Sequence, residues 1–341
     1  MKKVLITVIQ LAVTIGLLVW VYHDPKKLAE MRQALAHARF QWLAAGILVY
    51  FVVEAAAAFR WHVLLKVQGI RLKPSRLSGL FLIGMFYNQF LPGGTGGDII
   101  KSYLLLKETD RKAGALLAVV FDRFIGLVAL VAITVTLVSM RFDLLSQTHE
   151  TRRYLWILLV LLGVSIASLI ASFLVSGFNL FHWLPHRFPG REKLIEIAAA
   201  YHLYARHWIA TLVAFCASLV AHLSTFTTFL CAAFALRADV VVTNFFAVMP
   251  IERTISALPI SFAGVGIREK VLQTMLHQVC GVNEGVAVLI GSLSFLIMVV
   301  CCLPGAIVYF FYRPSGVDHR VRISEMQREV ATMEHEISES Q

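Results

Sequence analysis

Long apolar runs alternate with short polar connectors along this chain, and the lengths of the runs predict its architecture. Residues 4–22, 41–65, 113–139, 154–178, 208–236 and 284–312 are each long enough to cross a hydrocarbon layer of about 30 Å as a helix. The run at 4–22 follows Lys2 and Lys3 and is longer than the apolar region of a signal peptide, so it reads as a retained first span. Two other apolar stretches are interrupted. The run at 77–90 is too short to span, and Pro92 with Gly93, Gly94, Gly96 and Gly97 breaks it before a short helix at about 98–106. Residues 241–277 repeat the pattern, with Glu252-Arg253, Leu258-Pro259, a break at Gly264 and Gly266, Arg268-Glu269-Lys270 and a second short run. Each stretch is expected to form a re-entrant hairpin. Because lipid cannot satisfy free amide groups, non-helical backbone at membrane depth must be buried by protein or line a wet cavity.

The interrupted stretches also correspond to one another. Leu258 follows Leu91 by 167 positions and Gly264 follows Gly94 by 170, and a similar shift carries the span at 41–65 onto 208–236 and that at 113–139 onto 284–312. Counting crossings opens the first break to the cytoplasm and the second to the outside. The expected fold is therefore an all-α polytopic membrane protein of about six spans plus two broken hairpins, arranged as an inverted repeat. The transmembrane domain covers 1–312, with a first half at about 41–139 and a second at about 208–312.

Two segments outside the spans are amphipathic. At 191–207, Leu194, Ile197, Tyr201 and Tyr204, continued by Trp208, recur at three- and four-residue spacing, as expected of a helix lying in the headgroup layer. In the tail, 313–341, Ile323, Met326, Val330, Met333 and Ile337 follow heptad spacing, which suits a surface-lying helix or a seam to a second copy or partner protein.

Composition narrows the functional classes. With 58% hydrophobic and 15% charged residues, the chain is too apolar for an ordinary soluble domain. Its net charge of +10 sits in short connectors such as Lys66, Arg71, Lys73 and Arg76, a positive-inside signal rather than a nucleic-acid surface. Both termini are thus expected in the cytoplasm, and a bacterial inner membrane is the expected location. Cys216, Cys231, Cys280, Cys301 and Cys302 lack paired spacing, so neither a disulfide nor a metal site is expected. The glycine break lacks phosphate-loop spacing, and no GxSxG or HExxH motif occurs, so no cofactor is called for and an enzyme is not favoured.

A charge at mid-membrane costs about 2.5 to 3.5 kcal/mol on insertion scales, so the intramembrane charges need partners or water. Lys101, Arg123, Arg253 and Arg268 suit an anionic headgroup, Arg presenting two parallel donors to a phosphate. The amides of Gly93, Gly94, Gly96, Gly97, Gly264 and Gly266 offer neutral donors at the starts of short helices. Asp98 closes the first break, and Glu54, Asp122, Glu252 and Glu269 balance the charge. Glu54 and His222 fall at similar depths in corresponding spans, a conceivable proton relay. The alternative stands beside each: structural ion pairs that pin helices together, and a histidine that merely packs.

The run from Phe90 through Leu91, Pro92, Gly93, Gly94, Thr95, Gly96 and Gly97 to Asp98 is followed by Asp122-Arg123-Phe124-Ile125-Gly126-Leu127. Leu258-Pro259-Ile260-Ser261 and Gly264-Val265-Gly266-Ile267-Arg268-Glu269 come later. Together these resemble the flippase-like, lysylphosphatidylglycerol synthase transmembrane region family over most of 4–312. The chain departs at Phe262-Ala263, where the family usually reads Pro-Gly. In fused members this region moves an aminoacylated phospholipid between leaflets while a separate domain makes it. Only a short tail follows Arg313 here, so the resemblance implies translocation of a phospholipid or polyprenyl-phosphate-linked lipid without lysyl transfer. The competing expectations are a membrane-bound transferase acting on a lipid-linked substrate and a non-catalytic scaffold using the tail.

Overall fold

The computed structural model describes residues 12–17, 19, 23–91, 96–177, 199, 202–258 and 261–312, and all regular structure among them is helical. Five helices are long and apolar enough to cross a membrane: α2 (Phe40–Val67), α5 (Lys112–Met140), α6 (His149–Gly177, apolar over His149–Ala171), α7 (Trp208–Ala235) and α10 (Glu284–Phe311). These match five of the six expected spans. Most of the remaining run, at 4–22, lies outside the described residues, although 12–17 are helical. Shorter helices among the described residues include α1 (Pro25–Ala36), α3 (Pro74–Phe90), α4 (Gly96–Leu106), α8 (Val242–Ser256) and α9 (Ile267–Cys280).

Local chemistry accounts for the ends. Pro25 and Pro74 open α1 and α3, where a missing N–H costs nothing, and Asp24 Oδ1 caps α1 by accepting from the Lys26 amide at 2.9 Å. Gly281 ends α9 in the left-handed conformation, φ +69°, which a side chain would resist. Leu48, Val160, Val164, Phe310 and Phe311 are more than half exposed on the outer surface. In water such a surface would drive association, whereas in lipid it is the natural exterior, and the chain is an integral membrane protein.

The two halves meet along α2 and α7. Both are 28 residues long, and α7 begins and ends 168 positions after α2. They run antiparallel. The Arg39 amide, before α2, donates to the Ala235 carbonyl at the far end of α7 at 2.8 Å, and Trp42 packs on Phe234 with ring centroids 5.0 Å apart. Near the other end, Arg60 reaches Ser218. Equivalent helices of the two halves thus point in opposite directions.

Each half contributes a pair of short helices. At about 1.5 Å per residue, α3 and α4, of 17 and 11 residues, reach about 26 and 17 Å; α8 and α9, of 15 and 14, reach about 23 and 21 Å. None equals a full crossing. Within each pair the helices pack on one another, α3 on α4 and α8 on α9. Each pair also seats its first helix on the last span of the opposite half: α3 on α10, and α8 on α5. Glycine makes these contacts close. A Cβ on Gly97 would lie 1.8 Å from the Gly84 carbonyl oxygen, and one on Gly305 would lie 2.1 Å from that of Leu82.

Of the amphipathic segment at 191–207, only 199 and 202–207 are described, and the tail at 313–341 lies outside the described residues. Tyr204 is buried in protein rather than facing the headgroup layer. Its ring stacks on Phe121 at 4.1 Å, and its hydroxyl donates to the Leu64 carbonyl at 3.2 Å, the partner a buried phenol requires.

The backbone contact of α3 with α4 generates a prediction. Gly97→Ala should destabilise the protein by about 1 to 3 kcal/mol through overpacking. Gly163→Ala, whose Cβ would meet nothing within 4 Å, should be neutral or mildly stabilising. Thermal unfolding of the two variants in detergent, followed by size-exclusion fluorescence, checks the contrast.

Candidate functional site

A cavity of about 440 Å³ opens between the two short-helix pairs, with α2 and α5 behind it. Five cations line it: Arg60, Lys101, Arg123, Arg253 and Arg268.

On the first-half side every one of these cations has a carboxylate. Arg60 of α2 clamps Asp122 of α5 with two parallel bonds, Nε to Oδ1 at 2.7 Å and Nη2 to Oδ2 at 3.1 Å, and donates Nη1 to the Ser218 hydroxyl on α7 at 3.1 Å. Lys101 Nζ sits between Asp98 at 3.6 Å and Asp122 at 3.8 Å, 4.7 Å from the Trp61 ring centroid. Arg123 pairs with Asp98 at 2.5 Å. Small residues make the room. A Cβ on Gly126 would press on Arg60 Nη1 at 3.3 Å, and one on Gly84 on the Lys101 side chain at 3.2 Å.

The second-half side is built differently. Glu252 of α8 and Arg268 of α9 are 1% and 3% exposed, with Arg268 Nε 3.8 Å from Glu252 Oε1, an ion pair without a hydrogen bond. The Arg268 guanidinium lies over Phe295, 4.6 Å from its centroid, and donates Nη2 to the Ala263 carbonyl at 2.7 Å. Its Nη1 has no hydrogen-bond partner among the described residues, nor does the buried Ser261 hydroxyl. The Arg253 guanidinium makes no hydrogen bond or ion pair with a described residue, although Arg253 lines the cavity. Five cations line the cavity against two lining carboxylates, Asp98 and Asp122, and even with Glu252 and Glu269 buried behind them the cations outnumber the carboxylates by one.

The second break turns through three positive φ angles: Ala263 at +51°, Gly264 at +74° and Gly266 at +86°. Ala263 therefore occupies, with a side chain, a conformation glycine adopts freely. This position is also where the sequence departs from the Pro-Gly of its resemblance. The break keeps its left-handed turn without the glycine, and the Arg268 bond to the Ala263 carbonyl fastens it.

Asp98, Lys101, Asp122, Arg123, Arg253, Gly264 and Arg268 all line the cavity, so seven of the expected site residues converge. Glu252 stands one layer behind. Gly93 and Gly94 lie outside the described residues. The expectation of free amides fails at Gly97, whose N–H donates to Asn88 Oδ1 at 2.9 Å, and at Gly266, whose N–H donates to Glu269 Oε2 at 2.6 Å. Glu269 is thus a helix cap, and Gly96 and Gly97 serve close packing of α4 rather than the cavity wall. Glu54 and His222 are not joined. Glu54 Oε1 lies 4.0 Å from Cys302 Sγ, while His222 Nε2 contacts the Gly126 carbonyl at 3.1 Å, and neither lines the cavity. Arg60 was passed over as a site residue. A charge within a span was the signal that could have raised it.

These features describe a polytopic helical membrane protein with a cationic cavity between two short-helix pairs. The family profile of the lysylphosphatidylglycerol synthase TM region matches residues 7–306, and the chain belongs to that family, which ties it to membrane lipids. No curated protein matches it.

Two predictions follow from this geometry. Asp122→Asn strips Arg60 and Lys101 of a buried counter-charge and should cost about 3 kcal/mol or more, whereas the double change Arg60→Met with Asp122→Leu should recover much of that loss. Unfolding of the single and double variants in one detergent tests the pair. Ala263→Gly relieves a left-handed alanine and should raise stability by about 1 kcal/mol, read as a higher melting temperature.

Proposed function

We propose that this protein translocates an anionic lipid headgroup between the leaflets of a bacterial inner membrane. Acyl chains stay in the bilayer while the headgroup crosses through the cavity. The observation that carries this reading is the cavity itself. Five cations from both halves surround a space of about 440 Å³, the scale of a headgroup rather than of a whole lipid.

The arrangement of the halves supplies the means. We read the short-helix pairs as re-entrant hairpins entering from opposite faces, and the antiparallel α2 and α7 as the centre of an inverted repeat. In such a repeat the two halves exchange conformations, so that the central site opens to one side and then the other. Both termini then face the cytoplasm, as the basic connectors favour.

Reconstitution into liposomes containing fluorescently labelled phosphatidylglycerol or phosphatidylcholine, bleached from outside with dithionite, tests this reading. Wild-type protein should bring bleaching of labelled phosphatidylglycerol well past the half expected for an inert bilayer. Ala257→Trp, which places bulk in the cavity wall from the exposed end of α8, should return bleaching to that of empty vesicles with an unchanged melting temperature. Bleaching by wild type no greater than in empty vesicles, for anionic and zwitterionic lipids alike, would refute translocation.

A further inference from the structure

The two sides of the cavity differ in what they leave unbonded. Among the first-half cations, Arg60 and Arg123 spend hydrogen bonds on Asp122 and Asp98, and Lys101 sits between the two carboxylates as an ion pair. On the second-half side donors remain without a partner among the described residues: the guanidinium of Arg253, Nη1 of Arg268 and the hydroxyl of Ser261. Arg268 and Ser261 are 3% and 4% exposed, so bulk water does not satisfy them as it would at a surface. Leaving such groups unpaired costs about 1 to 3 kcal/mol each, and more when charged. A ligand that accepts several hydrogen bonds at one centre removes that cost.

We infer that the second-half side of the cavity, formed by Arg253, Arg268 and Ser261, binds a terminal phosphomonoester on a lipid in preference to a phosphodiester headgroup. This rests on the translocation reading above and names its substrate class. Two properties of the site separate these chemistries. A phosphomonoester carries about −1.5 to −2 charges at pH 7 and presents three terminal oxygens. A phosphodiester carries one charge and presents two. The surplus of cations around the cavity favours the more highly charged monoester, and the donors left unbonded among the described residues outnumber what two oxygens accept in good geometry. Glu269, the other buried carboxylate at this break, accepts from the Gly266 amide through Oε2 and keeps its negative charge, so the cations exceed the carboxylates by one. A headgroup bearing amino groups meets the same positive field and is disfavoured.

The test is competitive binding to the full-length protein in detergent, with four probes: dihexanoyl phosphatidic acid, dihexanoyl phosphatidylglycerol, dihexanoyl phosphatidylcholine and glycerol phosphate. Phosphatidic acid is expected to bind at least about tenfold more tightly than phosphatidylglycerol, a gap of about 1.4 kcal/mol. Arg253→Gln, at a guanidinium with no hydrogen bond or ion pair to a described residue, should narrow the gap to about threefold or less. Equal binding of phosphatidic acid and phosphatidylglycerol would overturn the monoester inference and leave the anionic-lipid reading standing. No preference of either over phosphatidylcholine would remove both. Glycerol phosphate binding as tightly as phosphatidic acid would keep monoester recognition but move its source from a lipid to a soluble metabolite. If Arg253→Gln fails to fold, the ranking of the four probes on wild type still decides.

Discussion

The Asp122 carboxylate is the point on which this structure depends. An isolated charge in the apolar layer is costly, and Asp122 offsets that cost by engaging Arg60 from α2 and Lys101 from α4 while sitting on α5. Through Arg60 Nη1 the same network reaches Ser218 on α7. Four helices are thus tied at one depth, including the two that join the halves. The cavity forms beside this knot, because the polar side chains that solve a folding problem also prevent lipid tails from filling the space. Stability and site share a cause here, so removing Asp122 cannot be read as a test of function alone.

The halves obey a common backbone plan and diverge in chemistry. Gly84 on α3 lies against Gly97 on α4, whereas α8 and α9 are joined by Glu252 and Arg268. The same junction of two short helices is therefore closed by backbone contact in one half and by a buried ion pair in the other. Backbone contact leaves nothing for a ligand to engage. The ion pair leaves part of a guanidinium over, in a wall shared with Arg253, whose guanidinium bonds no described residue. Quasi-symmetry thus positions the walls of the cavity, while departure from symmetry gives it a preferred side.

Much of this plan was legible in the sequence. The lengths of the apolar runs located five described spans, and the glycine breaks located both short-helix pairs, because hydrophobic length and Pro/Gly interruption act locally along the chain. Seven of the expected site residues also meet in one cavity, since charges forced into the membrane gather where water or partners can reach them. What local pattern could not supply was partnership. Asp122 and Arg123 are adjacent in sequence, yet they turn to Arg60 and Asp98, respectively. The glycine pattern suggests a free amide at Gly97, but Asn88, nine positions earlier, accepts from that N–H, a partnership the local pattern does not reveal. Glu54 and His222 match in depth and still make separate contacts, because equivalent positions in antiparallel helices need not be neighbours.

The seating of α3 on α10 has a consequence for how the protein is made. The close approach of Gly305 to Leu82 joins a helix from the first half to the last span synthesised. At about 5 to 20 residues per second, more than ten seconds separate their emergence from the ribosome. During that interval the first short-helix pair must wait in or beside the bilayer with one apolar flank unpartnered. Assembly therefore finishes from the carboxyl end backwards, and whatever shields that flank in the meantime, lipid or insertion machinery, is as much a condition of the fold as the contacts that replace it.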